Sequence, residues 1–253
     1  MKLWSYRMSD LDLNRWVTTP IPELPGVEGR KDVQIVDCGE PLVPLSGFAP
    51  DLIIVRPQYA LCGYLHAISE AFAREKVAKT LRDAAQLLRP SYRLLIWDAW
   101  RPKALQEELF LEYREKLRRA HPEYSEERLA RETEIYVSLP SRDASVPAPH
   151  STGGAVDLTI CDPNGQSVPM GTDFDHFGPE AATRFFEERI LSGEELSEQE
   201  RLTLGYRRLL FWVLTMQGFT SYREEWWHFD FGDQFWGRIT GRPSIYAERD
   251  NAL

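Results

Sequence analysis

Pro20, Pro22, Pro25, Pro41, Pro44 and Pro50 punctuate the first fifty residues and leave only a short strand-like run at Val33-Gln34-Ile35-Val36. Proline fixes φ and removes a ladder donor, so a segment carrying so many cannot supply the main sheet or a long helix. Residues 1–50 therefore read as an extended arm over a core built later in the chain. Trp4, Trp16, Leu42 and Val43 need apolar partners, which argues against a loose tail.

The later residues alternate between two periods. From about Ile68 to Leu88 the apolar residues Ile68, Phe72, Leu81, Ala85 and Leu88 fall near one helical face, and Pro90 closes the run. Tyr92 to Trp97 reads as a buried strand. Pro102 suits the first turn of the helix that carries Leu105, Leu109, Tyr113 and Leu117. A charged helix follows from about Ser125 to Val137. After a loop-rich stretch from Pro140 to Gly154, Ala155 to Ile160 alternates as a strand, and Asp162-Pro163-Asn164-Gly165 is turn chemistry. Ser197-Glu198-Gln199-Glu200 matches a capping box, opening a helix with Leu202, Tyr206, Leu209, Val213 and Met216 that Gly218 closes. A last strand is expected over about Tyr222 to Phe231. The expectation is one α+β domain over residues 1–253, with a central, mostly antiparallel sheet flanked by helices.

At 253 residues the chain is long enough to bury a sizeable core without staples. Thirty Lys and Arg against 39 Asp and Glu leave a net charge of −9, a poor match for phosphate backbones or anionic membranes. No run approaches the ~18 apolar residues of a membrane span. No apolar stretch follows Lys2 as in a secretory signal. The cysteines, Cys38, Cys62 and Cys161, are odd in number and lack a C-x-x-C pair, which fits neither a disulfide framework nor a thiolate metal site. A cytoplasmic setting is expected, with neither nucleic acid nor membrane as partner.

Two of the five histidines sit in chemically loaded contexts. His150-Ser151-Thr152-Gly153-Gly154-Ala155-Val156-Asp157 is a histidine, a glycine turn and an aspartate in a β-branched strand, an order that can return both side chains to one point. Glu224-Glu225-Trp226-Trp227-His228-Phe229-Asp230 places a carboxylate and an imidazole around two tryptophans. Two imidazoles and a carboxylate are a common zinc set with a fourth position open to water, and a further carboxylate beside that water can act as general base. Taken singly, each residue also fits an ordinary role: a hydrogen-bonding histidine, a strand-end aspartate, a solvated glutamate. Glu225 and His228 are three apart, so in a regular strand they face opposite ways. One site for both requires the strand to end, twist or bulge between them, or the segment to be helical.

Four ordered segments carry a family resemblance. Trp97-Asp98-Ala99-Trp100-Arg101-Pro102, His150 to Thr159, Val168-Pro169-Met170-Gly171-Thr172-Asp173-Phe174-Asp175 and Glu225-Trp226-Trp227-His228-Phe229 resemble the hallmark segments of the zinc D-alanyl-D-alanine dipeptidases, the vancomycin-resistance type and its chromosomal relatives. These sit within the wider superfamily of zinc D-Ala-D-Ala peptidases with a hedgehog-like fold. The resemblance spans about Tyr59 to Phe229. It implies that His150, Asp157 and His228 ligate one zinc ion per chain and that Glu225 is the catalytic base. It further implies that Arg101 stabilises the tetrahedral oxyanion and that Asp175 lies near the free amino group of a small dipeptide substrate. The implied reaction is hydrolysis of D-Ala-D-Ala, or a near relative, by a zinc-activated water, in turnover of cell-wall precursors or dipeptides. A DD- or LD-carboxypeptidase acting on longer peptidoglycan peptides and a non-catalytic zinc-bearing module are the alternatives. One departure stands out: related dipeptidases commonly carry serine two positions before the first ligand, where this chain has Ala148 between Pro147 and Pro149. The arm, the Lys103 to Ser145 region and the stretch between Asp175 and Ser197 are long for a compact dipeptidase, and are expected as walls around the site or as packing ornaments.

Overall fold

The computed structural model describes residues 13–137 and 143–250. Trp4 and Pro140 lie outside them. The helices are α1 (Leu13–Thr18), α2 (Gln58–Leu61), α3 (Glu75–Leu87), α4 (Lys103–Ala120), α5 (Glu126–Tyr136), α6 (Phe185–Leu191), α7 (Glu198–Thr215) and α8 (Gln234–Thr240). The strands are β1 (Leu42–Pro44), β2 (Ile53–Val55), β3 (Phe72–Arg74), β4 (Arg93–Asp98), β5 (Ala155–Cys161), β6 (Thr220–Ser221) and β7 (His228–Asp230). Five strands form the main sheet in the order β2-β4-β5-β7-β6; β2 runs parallel to β4 and every other pairing is antiparallel. The fold is α+β, and the sheet is mostly antiparallel as expected.

Side chains alternate across a strand, and β5 uses this to separate core from site. Val156, Leu158 and Ile160 enter the apolar core with Leu81, Ala84 and Ala85 of α3 and Leu209, Leu210, Val213 and Leu214 of α7. Burying each of these leucines is worth roughly 1.5–3 kcal/mol, so this face anchors the sheet. Asp157 takes the opposite face. On that side, a smaller cluster of Tyr59, Leu105, Leu109, Phe110, Tyr113 and Val137 ties α4 and the end of α5 over the sheet.

The capping box of α7 is present, with Ser197 accepting from Glu200 and the Glu200 carboxylate accepting from the Ser197 amide. Gly218 follows this helix at φ 93°. Pro102 sits at the N-cap of α4 rather than inside its first turn.

Three expectations need correction. The helix read from Ile68 begins only at Glu75. Phe72 to Arg74 instead form β3, paired antiparallel with β1. The apolar spacing there also suited a strand end, and Arg74, fully buried, has three carbonyl acceptors that a helix would not reach: Thr152, Glu40 and Ala247. The run Val33–Val36 forms no strand; Ile35 makes one parallel bridge to Ser244. The arm instead packs as α1 against α7, with Trp16 buried and the Trp212 indole donating to the Thr19 carbonyl at 3.0 Å. Finally, the strand read over Tyr222–Phe231 is interrupted. Only Ser221 and its predecessor (β6) and His228–Asp230 (β7) pair, and residues 222–227 form the connection between them.

Candidate active site

Sheet register places the first two metal-binding candidates. Asp157 on β5 stands opposite His228 on β7, so both side chains project from one face at one level. Asp98 on β4 is Asp157's partner on the other side, past a bulge after Ile96. His150 arrives by a different route. It lies in a 3-10 turn, Pro149–Thr152, closed by Gly153 at φ 75°. A Cβ at Gly153 would stand 2.3 Å from Leu42, and one at Gly154 would stand 2.5 Å from the Phe231 carbonyl oxygen. Only glycine lets the chain reverse here against both neighbours. Arg74 fixes the turn from beneath, donating through its side chain to Thr152 and through its amide to Gly153.

The hydrogen bonds then fix what each ring presents. His150 Nδ1 lies 2.7 Å from the Ala99 carbonyl oxygen, which can only accept, so Nδ1 carries the proton and Nε2 offers a lone pair. His228 Nε2 lies 2.9 Å from Asp230 Oδ1 and donates to it, leaving the Nδ1 lone pair free. The two freed nitrogens face each other at 3.2 Å. Asp157 Oδ2 lies 3.2 Å from His150 Nε2, and Oδ1 lies 3.0 Å from His228 Nδ1. Two lone pairs and a carboxylate converging this closely repel unless a cation joins them. Ligands about 2.0–2.1 Å from a tetrahedral zinc stand roughly 3.3 Å apart, close to the separation of the two nitrogens and to the distance from each nitrogen to its nearer Asp157 oxygen. Among the described residues this trio is the one group of histidine, cysteine and carboxylate side chains able to hold a metal ion.

Burial works against the Asp157 carboxylate, but the two imidazoles beside it hold its pKa well below the usual range. The connection between β6 and β7 answers the spacing problem of Glu225 and His228. The His228 amide donates back to the Glu225 carbonyl and the Tyr222 amide to the His228 carbonyl, so the chain turns and brings both side chains to one side. Glu225 is buried, and its Oε2 lies 3.9 Å from His228 Nδ1, beside the trio yet outside its contact distances. Burial raises the Glu225 pKa well above its ordinary value, with Asp157 and Asp175 adding to the rise.

Arg101 follows β4 and is buried. Its Nε donates to Asp98 Oδ2 at 2.8 Å and its Nη1 to Gln106 Oε1 at 2.9 Å, while Nη2 lies 3.3 Å from the Tyr59 hydroxyl and 3.5 Å from Asp157 Oδ2. Its amide donates to the His150 carbonyl, which locks the arginine to the turn that carries His150. Asp175 has a left-handed backbone, φ 57°, the only such non-glycine residue among those described. Burial, reinforced by the Asp157 charge, lifts its pKa to about 7. The structure thus brings all six candidate residues to the wall of one cavity of about 570 Å³.

Sequence reasoning missed three supporting groups. Asp230 orients His228, and the signal was present, because residues two apart in a strand share a face. Asp98 and Tyr59 hold Arg101; only the tertiary fold joins Tyr59 to it. The long segments also separate into classes. Gln106, Leu109, Tyr113 and Tyr136 of α4 and α5 line the cavity, as does Arg30 of the arm. Between Asp175 and Ser197 only Phe177 does, stacked on Tyr113 at 3.9 Å. The first two segments are walls; the third is mainly packing.

The family model for the M15 peptidases, described as D-Ala-D-Ala dipeptidase, matches residues 43–247. The chain belongs to this family. A D-alanyl-D-alanine dipeptidase from Synechocystis is 30% identical over 216 residues, covering 81% of this chain and 87% of the relative. One from Enterococcus faecalis is 29% identical over 178 residues, covering 67% and 77%. Among solved structures, an alanine mutant of the vancomycin-resistance D,D-pentapeptidase VanY in complex with Zn(II) aligns with 14% identity, covering 78% of this chain and 96% of that one. The TM-score of that alignment is 0.36. No helix of the described residues is long and apolar enough to cross a membrane.

Proposed function

We propose that this chain is a zinc-dependent dipeptidase that hydrolyses D-Ala-D-Ala, working as one catalytic domain with one ion per chain. The observation that carries the reading is the convergence of two histidine lone pairs and the Asp157 carboxylate, each oriented by its own partner, beside an unligated buried glutamate and a fixed arginine. The names of the relatives support the same substrate.

His150, Asp157 and His228 would hold the zinc, which when bound brings the pKa of water toward neutrality and polarises a carbonyl. Glu225 takes the proton from the attacking water and delivers it to the leaving amine as the C–N bond breaks. Its raised pKa suits both halves of that transfer. Arg101 meets the charge that grows on the carbonyl oxygen. Its contacts with Asp98, Gln106 and Tyr59 already fix its position, so little reorganisation is needed when that charge appears. Asp175 receives the substrate's ammonium. Gln106, Leu109, Tyr113 and Tyr136 of α4 and α5 wall the cavity, which supports a dipeptidase over a carboxypeptidase for long wall peptides. Two exposed free thiols, Cys38 and Cys62, fit a reducing cytoplasm. The test is release of D-alanine from D-Ala-D-Ala by purified protein, with chelator and zinc add-back. Chelator-sensitive, zinc-restored release is expected; absence of release from zinc-loaded protein would sink the proposal.

Asp175 gives a pH prediction with a definite sign. It must be ionised to hold an ammonium, and its pKa is about 7. KM should therefore rise as pH falls below 7, and Asp175→Asn should show a KM at pH 8 about tenfold higher with that dependence flattened. Stability moves the other way. A carboxyl whose folded pKa lies above its unfolded value stabilises the fold at low pH and loses that contribution as pH rises through 7. Asp175→Asn should accordingly melt a few degrees (roughly 2–4 °C or more) above the parent at pH 8, with the gap closing near pH 4. A KM that is unchanged at pH 8 would remove Asp175 from the substrate site.

A further inference from the structure

The cavity that holds the zinc candidates is also lined by Arg30, which no catalytic role absorbs. Arg30 opens a short 3-10 turn, Arg30–Asp32, in the N-terminal arm. It is half-buried, and its guanidinium lies over the Phe235 ring, 4.6 Å from the centroid. The Phe235 ring stands 6.3 Å from the His228 imidazole, and Tyr222 stands 5.7 Å from the same imidazole on that side.

The other cations on the cavity wall are engaged. Arg101 pairs with Asp98 and Asp157, Lys116 with Glu112 at 2.6 Å, and Arg56 donates to the Gly165 carbonyl. Arg30 has no carboxylate or carbonyl at bonding distance among the described residues. The acidic groups on its side have other tasks or stand off: Asp230 serves His228, Asp233 caps α8 through the Trp236 amide, and Glu134 reaches Arg30 only through space. A guanidinium stacked on an aromatic face keeps its N–H edges free, the geometry that takes a carboxylate by two parallel bonds. The arm is also pinned on both sides of Arg30. Arg238 donates to the Glu28 carbonyl at 2.6 Å, and Gln234 donates to the Val33 carbonyl at 2.9 Å. The charge is thereby held in place before any ligand arrives.

Along the cavity, Asp175 lies on the side of Tyr59 and Arg101, and Arg30 lies beyond His228 on the side of Tyr222 and Phe235. A dipeptide carries an ammonium at one end and a carboxylate at the other. Resting on the dipeptidase reading above, we infer that Arg30 binds the C-terminal carboxylate of the substrate, so that Asp175 and Arg30 measure the dipeptide from its two ends across the metal. The arm is then a working part of the active site, and the enzyme requires a free C-terminus.

The experiment compares kcat/KM for D-Ala-D-Ala and for D-alanyl-D-alaninamide, which lacks only the carboxylate charge, in zinc-loaded wild type, Arg30→Ala and Arg30→Lys. Wild type should prefer the acid by about 10- to 100-fold. Arg30→Ala should lose most of that preference, chiefly through KM for the acid, and Arg30→Lys should keep part of it. A loss of packing would lower both substrates together and leave the acid-to-amide ratio intact, which would overturn the assignment. So would a wild-type enzyme that cleaves acid and amide alike, although the dipeptidase reading would then stand. Zinc-loaded wild type that cleaves neither substrate removes the dipeptidase reading itself, and this inference with it, before any variant is measured.

Discussion

Glu225→Gln should lower kcat for D-Ala-D-Ala by about 10³-fold or more while leaving zinc content at one per chain. General-base catalysis is worth roughly 10²–10⁴ in rate, and glutamine keeps the shape of glutamate but cannot accept a proton. Zinc should stay because Glu225 is not within the ligand set. Its Oε2 is 3.9 Å from His228 Nδ1, whereas the two imidazole nitrogens are 3.2 Å apart and each has an Asp157 carboxylate oxygen at 3.0–3.2 Å. The fold should survive as well. Glu225 is buried and its charged form is disfavoured there, so a neutral isostere relieves a cost instead of adding one. Elemental analysis beside steady-state kinetics separates the two readouts. A variant that holds zinc and turns over at the parental rate would show that another group moves the proton. A variant that loses zinc would make Glu225 a ligand instead.

The parts of this site that were legible in the sequence are the local ones. His150 and Asp157 are joined by a seven-residue path whose glycines announce a reversal, and the alternating strand that follows fixes which face Asp157 takes. The capping box at Ser197 and the turn at Asp162 were legible for the same reason, since both are closed by bonds between residues two to four apart. The misreadings came where apolar residues are buried by something other than a regular strand. Trp226 and Trp227 are almost fully buried and β-favouring, yet they sit in a connection whose amide and carbonyl bond to Ala181 and Leu158. That irregularity is the one that lets Glu225 and His228 share a site. The start of the helix read from Ile68 was hidden for a related reason, because Arg74 is held in β3 by acceptors as far away as Ala247, which no local period shows. Arg30 and Phe235 are about two hundred positions apart, and no local pattern announces such a pair.

His228→Ala should abolish both zinc binding and turnover, and its thermal behaviour should reveal why. In the parent, a bound ion stabilises the folded state by about 2.7 kcal/mol at a hundred times its dissociation constant. A chelator should therefore lower the melting temperature of the parent by several degrees. Removal of His228 takes one of three ligands and frees Asp230 Oδ1, buried and without the donor that satisfied it. An unsatisfied buried acceptor costs about 1–3 kcal/mol, so the variant should melt below the zinc-loaded parent even in excess zinc. With no ion to lose, it should also melt at the same temperature with and without chelator. His228→Ala combined with Asp230→Asn removes the charge left stranded on Asp230 and should recover part of the lost stability without recovering zinc. That recovery distinguishes the loss of a ligand from general damage to β7, because damage to the strand would be deepened by a second change two residues along. Full zinc occupancy in His228→Ala would refute the ligand assignment, and a chelator effect that persists in the variant would place the ion elsewhere.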